Sequence, residues 1–206
     1  MKEERATEEL ILQCAEKVFH RSGFDGARMQ EIADEAGINK ALLHYYFRSK
    51  DRLFDAVFSA AVSRLVPPVF SMLNTQKPLT EKIADFVRQY FMTVMEHPFL
   101  PGFIIHEMHR NPAHFRTVMA GGRFVKLDRL QQQLQEGIAA GCFREISVEQ
   151  FMLNLFSLCA FPFAARNAMQ AMTGIGDDCY QQILEERRRL IPVWMIGMIE
   201  NKGGKA

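Results

Sequence analysis

The chain has 206 residues, 48% of them hydrophobic and 24% charged, with 25 Lys and Arg set against 24 Asp and Glu for a net charge of +1. Leu, Ile, Val, Phe and Met are plentiful and no tract is low in complexity, which excludes a disordered chain and allows one domain, or a small one with a medium one. A protein that coats nucleic acid regardless of sequence would be far more basic, so any such binding has to come from a local patch.

No unbroken apolar run reaches the roughly 20 residues that span a bilayer, and the opening MKEERATEEL is charged where a secretory signal would be apolar. The expectation is a cytoplasmic protein with no membrane partner. Cys14, Cys142, Cys159 and Cys179 stand singly, without a C-x-x-C pair, which predicts reduced thiols rather than a disulfide or zinc framework.

Apolar residues recur three and four apart along most of the chain, and the reading is all-α. The first predicted helix runs from Thr7 to Arg21, with Leu10, Ile11, Cys14, Ala15, Val18 and Phe19 on one face and Gly23 as its stop. Short helices follow over Met29–Ala36 and Lys40–Tyr46, separated by Gly37 and capped by Asn39; Ser49 caps a longer one from Lys50 towards Val66. Pro67-Pro68 is expected to end or kink that helix. Further helices are predicted at Thr80–Glu96, Gly102–His109, Ala113–Ala140, Ser147–Met172 and Asp178–Ile199, with kinks at Pro162 and Pro192.

Two short helices joined by a Gly-containing turn and braced by a preceding amphipathic helix form a helix-turn-helix pattern. Ile32, Ala33, Ala36, Ile38, Leu42 and Leu43 are its expected core, leaving Asn39, Lys40, His44 and Tyr45 outward with Tyr46 nearby. From Ala36 to Lys50 there are three basic residues, Lys40, Arg48 and Lys50, and no acid. Such a face suits a DNA major groove. The helix start at Ser49-Lys50, with the Lys50 ammonium, is an expected phosphate clamp.

The stretch from Gly23 to Phe54, GFDGARMQEIADEAGINKALLHYYFRSKDRLF, preceded by Ile11-x-x-x-Ala15-x-x-x-Phe19, resembles the DNA-binding domain of TetR-family transcriptional regulators. Arg28 stands where that family commonly has a hydroxyl residue, and His44 where Tyr is more usual. The segment from Leu134 to Phe143 resembles the end of the family's long seventh helix. The resemblance implies residues 1–50 as a three-helix DNA-binding domain and residues 51–206 as a helical ligand-binding and dimerisation domain. It further implies an Ω-shaped homodimer joined by its last two helices, double-stranded operator DNA as partner, and a small hydrophobic or amphipathic inducer of unknown identity. Candidate DNA-binding residues are Arg28, Gln30, Asn39, Lys40, His44, Tyr45, Tyr46 and Lys50: Asn39, Lys40 and Tyr45 for the groove, Arg28, Tyr46 and Lys50 for phosphates. No cofactor and no catalytic residue is implied, and repression is the expected mode.

Phe151, Leu155, Leu158 and Phe161 on one late helix, and Ile183, Leu190, Ile191, Trp194 and Met198 on the other, are candidates for a dimer interface or for monomer core. Phe86, Tyr90, Phe103, Met108, Phe124, Phe156, Phe163 and Arg166 are candidates for an apolar ligand pocket, each also a core candidate. His106-Glu-Met-His109, with His114 beyond Pro112, lacks the i, i+4 histidine spacing of a zinc helix, so no metal is expected. The rival classes are a small helical enzyme or metal protein using that region, and a helical carrier without DNA binding.

Overall fold

The computed structural model describes residues 2–122 and 127–201, and among these every regular element is helical apart from one isolated β-bridge between Phe143 and Glu200. The helices are α1 (Lys2–Gly26), α2 (Met29–Glu35), α3 (Lys40–Tyr46), α4 (Lys50–Leu73), α5 (Leu79–Glu96) and α6 (Leu100–Arg110). They continue with α7 (Pro112–Gly122), α8 (Asp128–Ala139), α9 (Val148–Ala164), α10 (Arg166–Thr173) and α11 (Asp177–Ile199). The chain divides into two compact units, Met1–Ser63 and Arg64–Ala206.

In the first unit the buried face of α1 carries Ile11, Cys14, Ala15, Val18 and Phe19, while Leu10, expected on that face, is exposed. Gly23 ends the regular helix because its φ of 66° is open only to a residue without Cβ. Phe54 of α4 meets Phe19 and Phe24 edge-on, each at 5.0 Å between ring centroids, and stacks towards Phe58 at 6.4 Å. These rings bring the front half of α4 into the first unit.

Helix α4 does not stop at Pro67-Pro68 but runs on to Leu73. Each proline removes one N–H from the ladder, and burial of Val69, Phe70 and Leu73 beyond them keeps the turn going. The helical bonds given up are those to the turn at Ser63 and Arg64, where the two units divide. By length and composition α4 is apolar enough to cross a bilayer, as is the bent pair of α9 and α10 together. The apolar residues of α4 are not one unbroken run, being interrupted by Asp55, Ser59, Ser63, Arg64 and Ser71. Half of its apolar window is buried within the protein, as in a core helix.

In the second unit α5 presents Ile83, Phe86, Val87, Tyr90, Phe91 and Val94 on one buried face, and α9 and α11 pack against it and each other. The helix expected over Ala113–Ala140 is two, α7 and α8, with Leu127 non-helical ahead of the second and residues 123–126 outside the described residues. The helix expected over Ser147–Met172 bends by 70° between α9 and α10. The bend follows Pro162, whose carbonyl accepts a 2.6 Å hydrogen bond from the Tyr180 hydroxyl of α11. Pro192 leaves α11 continuous. Ser147 caps α9, its Oγ accepting from Gln150 N at 3.3 Å.

After α8 the chain turns at Gly141, φ 70°, and the Phe143 ring lies against Gly137. A Cβ at Gly137 would meet that ring at 2.0 Å. The loop is held to the end of α11 by bonds from Arg144 N to Ile199 O at 2.8 Å and from Asn201 N to Cys142 O at 2.9 Å, so the ring has little freedom to retreat. Gly137→Ala is therefore expected to destabilise the chain by about 1–3 kcal/mol despite alanine's better helix propensity. Urea unfolding measures it; a stabilised variant would show that the ring moves aside freely.

Candidate nucleic-acid interface

The turn between α2 and α3 is built by Gly37 at φ 65°, with Gly37 N donating to Asp34 O at 3.1 Å and Ile38 N to Ala33 O at 3.0 Å. Ile32 and Ala33 are fully buried, and the missing side-chain bulk at Ala33 lets α3 approach. Asn39 starts α3: its Oδ1 accepts from Leu42 N at 2.8 Å, which leaves its amide NH2 outward. Leu43 and Phe47, four residues apart, turn inward.

That register settles which side chains leave the unit. Lys40, Ala41, Leu42, His44 and Tyr45 are all exposed, Tyr45 at 74%. Leu42, expected in the core with Leu43, is instead 37% exposed, because a helix of seven residues buries only one stripe. Tyr46 is half-buried and meets the Tyr45 ring edge-on at 5.4 Å. His44 is exposed, with Nδ1 3.4 Å from Arg48 O. Arg28 precedes α2 in extended conformation, exposed, and its side chain makes no cap bond. Gln30 is exposed and donates to Asp34 at 2.8 Å. The outward face of α3 is thus rich in donors and aromatic surface, free of acid, and rigidly carried, which suits it to reading base edges in a groove.

Lys50 departs from the expectation of a free ammonium at the phosphate-facing helix start. Its Nζ donates to three carbonyls at the end of α1, Phe24 at 2.9 Å, Ala27 at 3.2 Å and Asp25 at 3.4 Å, and lies 4.5 Å from the Phe24 ring centroid. The carbonyls collected by Gly23's turn draw the charge inward. Ser49 caps α4, accepting from Arg52 N at 3.2 Å, so the start of α4 is fixed by its own cap and, through Lys50, by the end of the first helix. Lys50→Met, which keeps the stem and removes the donors, is expected to cost about 2 kcal/mol in urea unfolding. An unchanged midpoint would mean the three bonds are worth no more than water.

Of the pocket candidates, Phe86, Tyr90, Phe156 and Phe163 come together in the second unit. Phe86 meets Phe156 at 5.6 Å and Tyr90 at 6.4 Å, and Tyr90 meets Phe163 at 6.3 Å. Phe103 is buried on α6, Met108 is exposed there, and Phe124 lies outside the described residues. Burial raises the Tyr90 phenol well above its ordinary range and pushes the neighbouring Cys159 thiol up to about 12. Arg166 is turned away: it binds Asp177 at 2.8 Å and lies 5.3 Å from the Tyr180 ring centroid, fastening the bend between α9 and α10 to the start of α11. Bonding to Gln170 and Arg166 holds the Asp177 carboxyl below its ordinary value.

The His106–His114 region forms an ion-pair cluster. Glu107, fully buried, accepts from Arg110 at 2.6 and 3.1 Å and contacts His114 Nδ1 at 2.9 Å. Among the described residues no group of three or more His, Cys, Asp or Glu is placed to hold a metal ion. Of the interface candidates, Phe151, Leu155 and Ile191 are buried in the chain's own core, Leu158, Ile183 and Leu190 are half-buried, and Phe161, Trp194 and Met198 are exposed together with Leu153 and Val193.

Residues 11–57 match the model of the bacterial regulatory proteins of the tetR family, and residues 80–193 match the tetracyclin repressor-like C-terminal domain. The chain is 28% identical to the HTH-type transcriptional repressor NicS of Pseudomonas putida over 181 residues, 82% of this chain and 81% of that one. It is 23% identical to the HTH-type transcriptional regulator RutR of Escherichia coli over 189 residues, covering 90% and 89%. Among solved structures, a TetR transcriptional regulator from Chloroflexus aurantiacus shares the fold with a TM-score of 0.69 at 18% identity, covering 97% of this chain and 99% of that one. HlyIIR, a hemolysin II transcriptional regulator, does so at 0.66 and 22%, covering 96% and 99%. With both of its domain models matched in order, and a helix-turn-helix whose outward face is free of acid, the chain belongs to the TetR family of DNA-binding transcriptional regulators.

Proposed function

We propose that this regulator is a cytoplasmic repressor, bound to its operator as a homodimer and released by a small hydrophobic or amphipathic inducer. The observation that carries the reading is the outward face of α3, where Lys40, His44 and Tyr45 stand clear of the fold and Asn39 keeps its amide donors outward. Asn39, Lys40 and Tyr45 read base edges; exposed Leu42 offers apolar surface to a thymine methyl. His44 and Gln30 border the groove, while Arg28, Tyr46 and the α4 N-terminus hold phosphates, with Lys50 positioning that helix start. Residues 1–50 carry DNA binding, and residues 51–206 carry ligand binding and dimerisation.

Repression draws support from the relative NicS, itself a repressor. The dimer forms through the last helices, where Leu153, Phe161, Val193, Trp194 and Met198 leave more apolar side chain in the open than a free surface favours. The inducer is received among Phe86, Tyr90, Phe156 and Phe163, with Phe103 and Met108 as further lining candidates. Because α4 passes from one unit to the next with two prolines at the crossing, an inducer that favours one setting of the second unit changes the spacing of the two α3 helices. By linkage, operator and inducer weaken each other by the same factor.

The test is selection of duplexes from a random library, followed by competition with apolar compounds that raise the protein's Tm. The expected site is two-fold symmetric, with half-sites about 34–36 Å apart or a multiple of that, and such a compound lowers affinity for it. A bound compound that leaves DNA affinity unchanged would contradict induction; an asymmetric site taken by one protomer would contradict the dimer.

A further inference from the structure

Lys82 sits in the first turn of α5 with its side chain 0% exposed, and its ammonium has no hydrogen-bond partner among the described residues. Its place was legible, since Leu79 three residues before and Phe86 four residues after share the buried face. Helix α8 is tied to the segment just before α5: Gln133 Nε2 donates to Lys77 O at 3.0 Å. Arg129, four residues earlier and on the same face of α8, adds a second cation, and its Nε is likewise buried without a partner, as is Gln133 Oε1. Arg129's terminal nitrogen is engaged with Gln132 at 3.0 Å along its own helix.

The carboxylate on the neighbouring turn is already committed. Asp85 holds Lys77 Nζ at 2.6 Å and also pairs with Arg88, while Glu81 and Asp128 are exposed. Burial, and then the charge of Arg129, hold the Lys82 ammonium below its ordinary pKa. An ammonium stripped of water beside a second cation is strongly unfavourable unless an anion joins them or the site is neutralised.

We propose that Lys82 and Arg129, with Gln133 closing one side, form a binding site for a small oxyanion, either inorganic phosphate or the carboxylate of an organic acid. Its oxygens accept from Lys82 Nζ and Arg129 Nε, both buried without a partner among the described residues. The site belongs to the second unit alone and does not depend on how the first unit meets DNA.

The experiment is calorimetric titration of the full-length protein with sodium phosphate, and separately with sodium acetate, at constant ionic strength made up with chloride. Tm is followed in parallel. The expected result is one saturable site per chain for at least one of the two anions, with affinity at least tenfold weaker in Lys82→Met and in Arg129→Gln. Which anion saturates distinguishes the two sources. In chloride alone Lys82→Met is expected to melt above the wild type, since it removes a buried, unpaired charge and keeps the stem. Should that variant fail to fold, Arg129→Gln carries the comparison. A wild type without a saturable response to either anion, or variants that bind as tightly as wild type, would overturn the proposal.

Discussion

Glu107→Ala is expected to destabilise the protein by about 3–5 kcal/mol, the range for breaking a buried ion pair from one side. The carboxylate is fully enclosed and serves two partners at once, Arg110 through both oxygens and His114 through one. Its removal leaves a guanidinium whose side chain is only 29% exposed and an imidazole at 17%. For a chain of this size that is a fall in Tm on the order of 10 °C. Glu107→Gln keeps the volume and should lose less. Replacing Glu107, Arg110 and His114 together by leucine should recover much of the loss, because no charge is then stranded. If the triple variant is no better than Glu107→Ala, the loss comes from packing and the electrostatic account fails.

Tyr45→Ala is expected to weaken binding to the selected operator by about 10- to 100-fold, the worth of one good base contact, while affinity for random duplex changes little. The side chain is 74% exposed and touches the fold through its edge contact with Tyr46. Stability should therefore hold within about 0.5 kcal/mol. This separates it from Lys50→Met, which should lower affinity for every sequence by a similar factor because it loosens the helix start that meets phosphate. Equal losses on operator and random DNA for Tyr45→Ala would place the tyrosine outside the reading surface.

The helix-turn-helix was legible because its punctuation is local. Asn39 and Ser49 cap the helices they precede, and Gly37 takes the positive φ its turn needs. What the pattern left open was register within two helical turns: Leu42 and Leu43 are identical in sequence terms, and only packing against α2 separates them. The inward turn of Lys50 was not legible, since nothing local in the chain announces that the Phe24, Asp25 and Ala27 carbonyls converge on it. Helix ends in the second unit failed where tertiary contacts outweighed breakers. Burial of Val69, Phe70 and Leu73 carries α4 through two prolines, while the Tyr180 hydroxyl claims the Pro162 carbonyl ahead of the bend after α9. Glu107 carries a signal in the sequence: an acid spaced three and four residues after Ile104 and Phe103 falls on the buried stripe and needs partners.

The central claim is sequence-specific DNA binding through the outward face of α3. Fluorescence anisotropy of the purified protein against fragments tiling its own promoter, at two salt concentrations and with random duplex as competitor, tests it most directly. The account predicts tight, competitor-resistant binding to one symmetric fragment by two protomers or a multiple, weakened selectively by Tyr45→Ala and falling steeply as salt rises. Binding no stronger than to random duplex, from protein free of co-purified ligand, would contradict it.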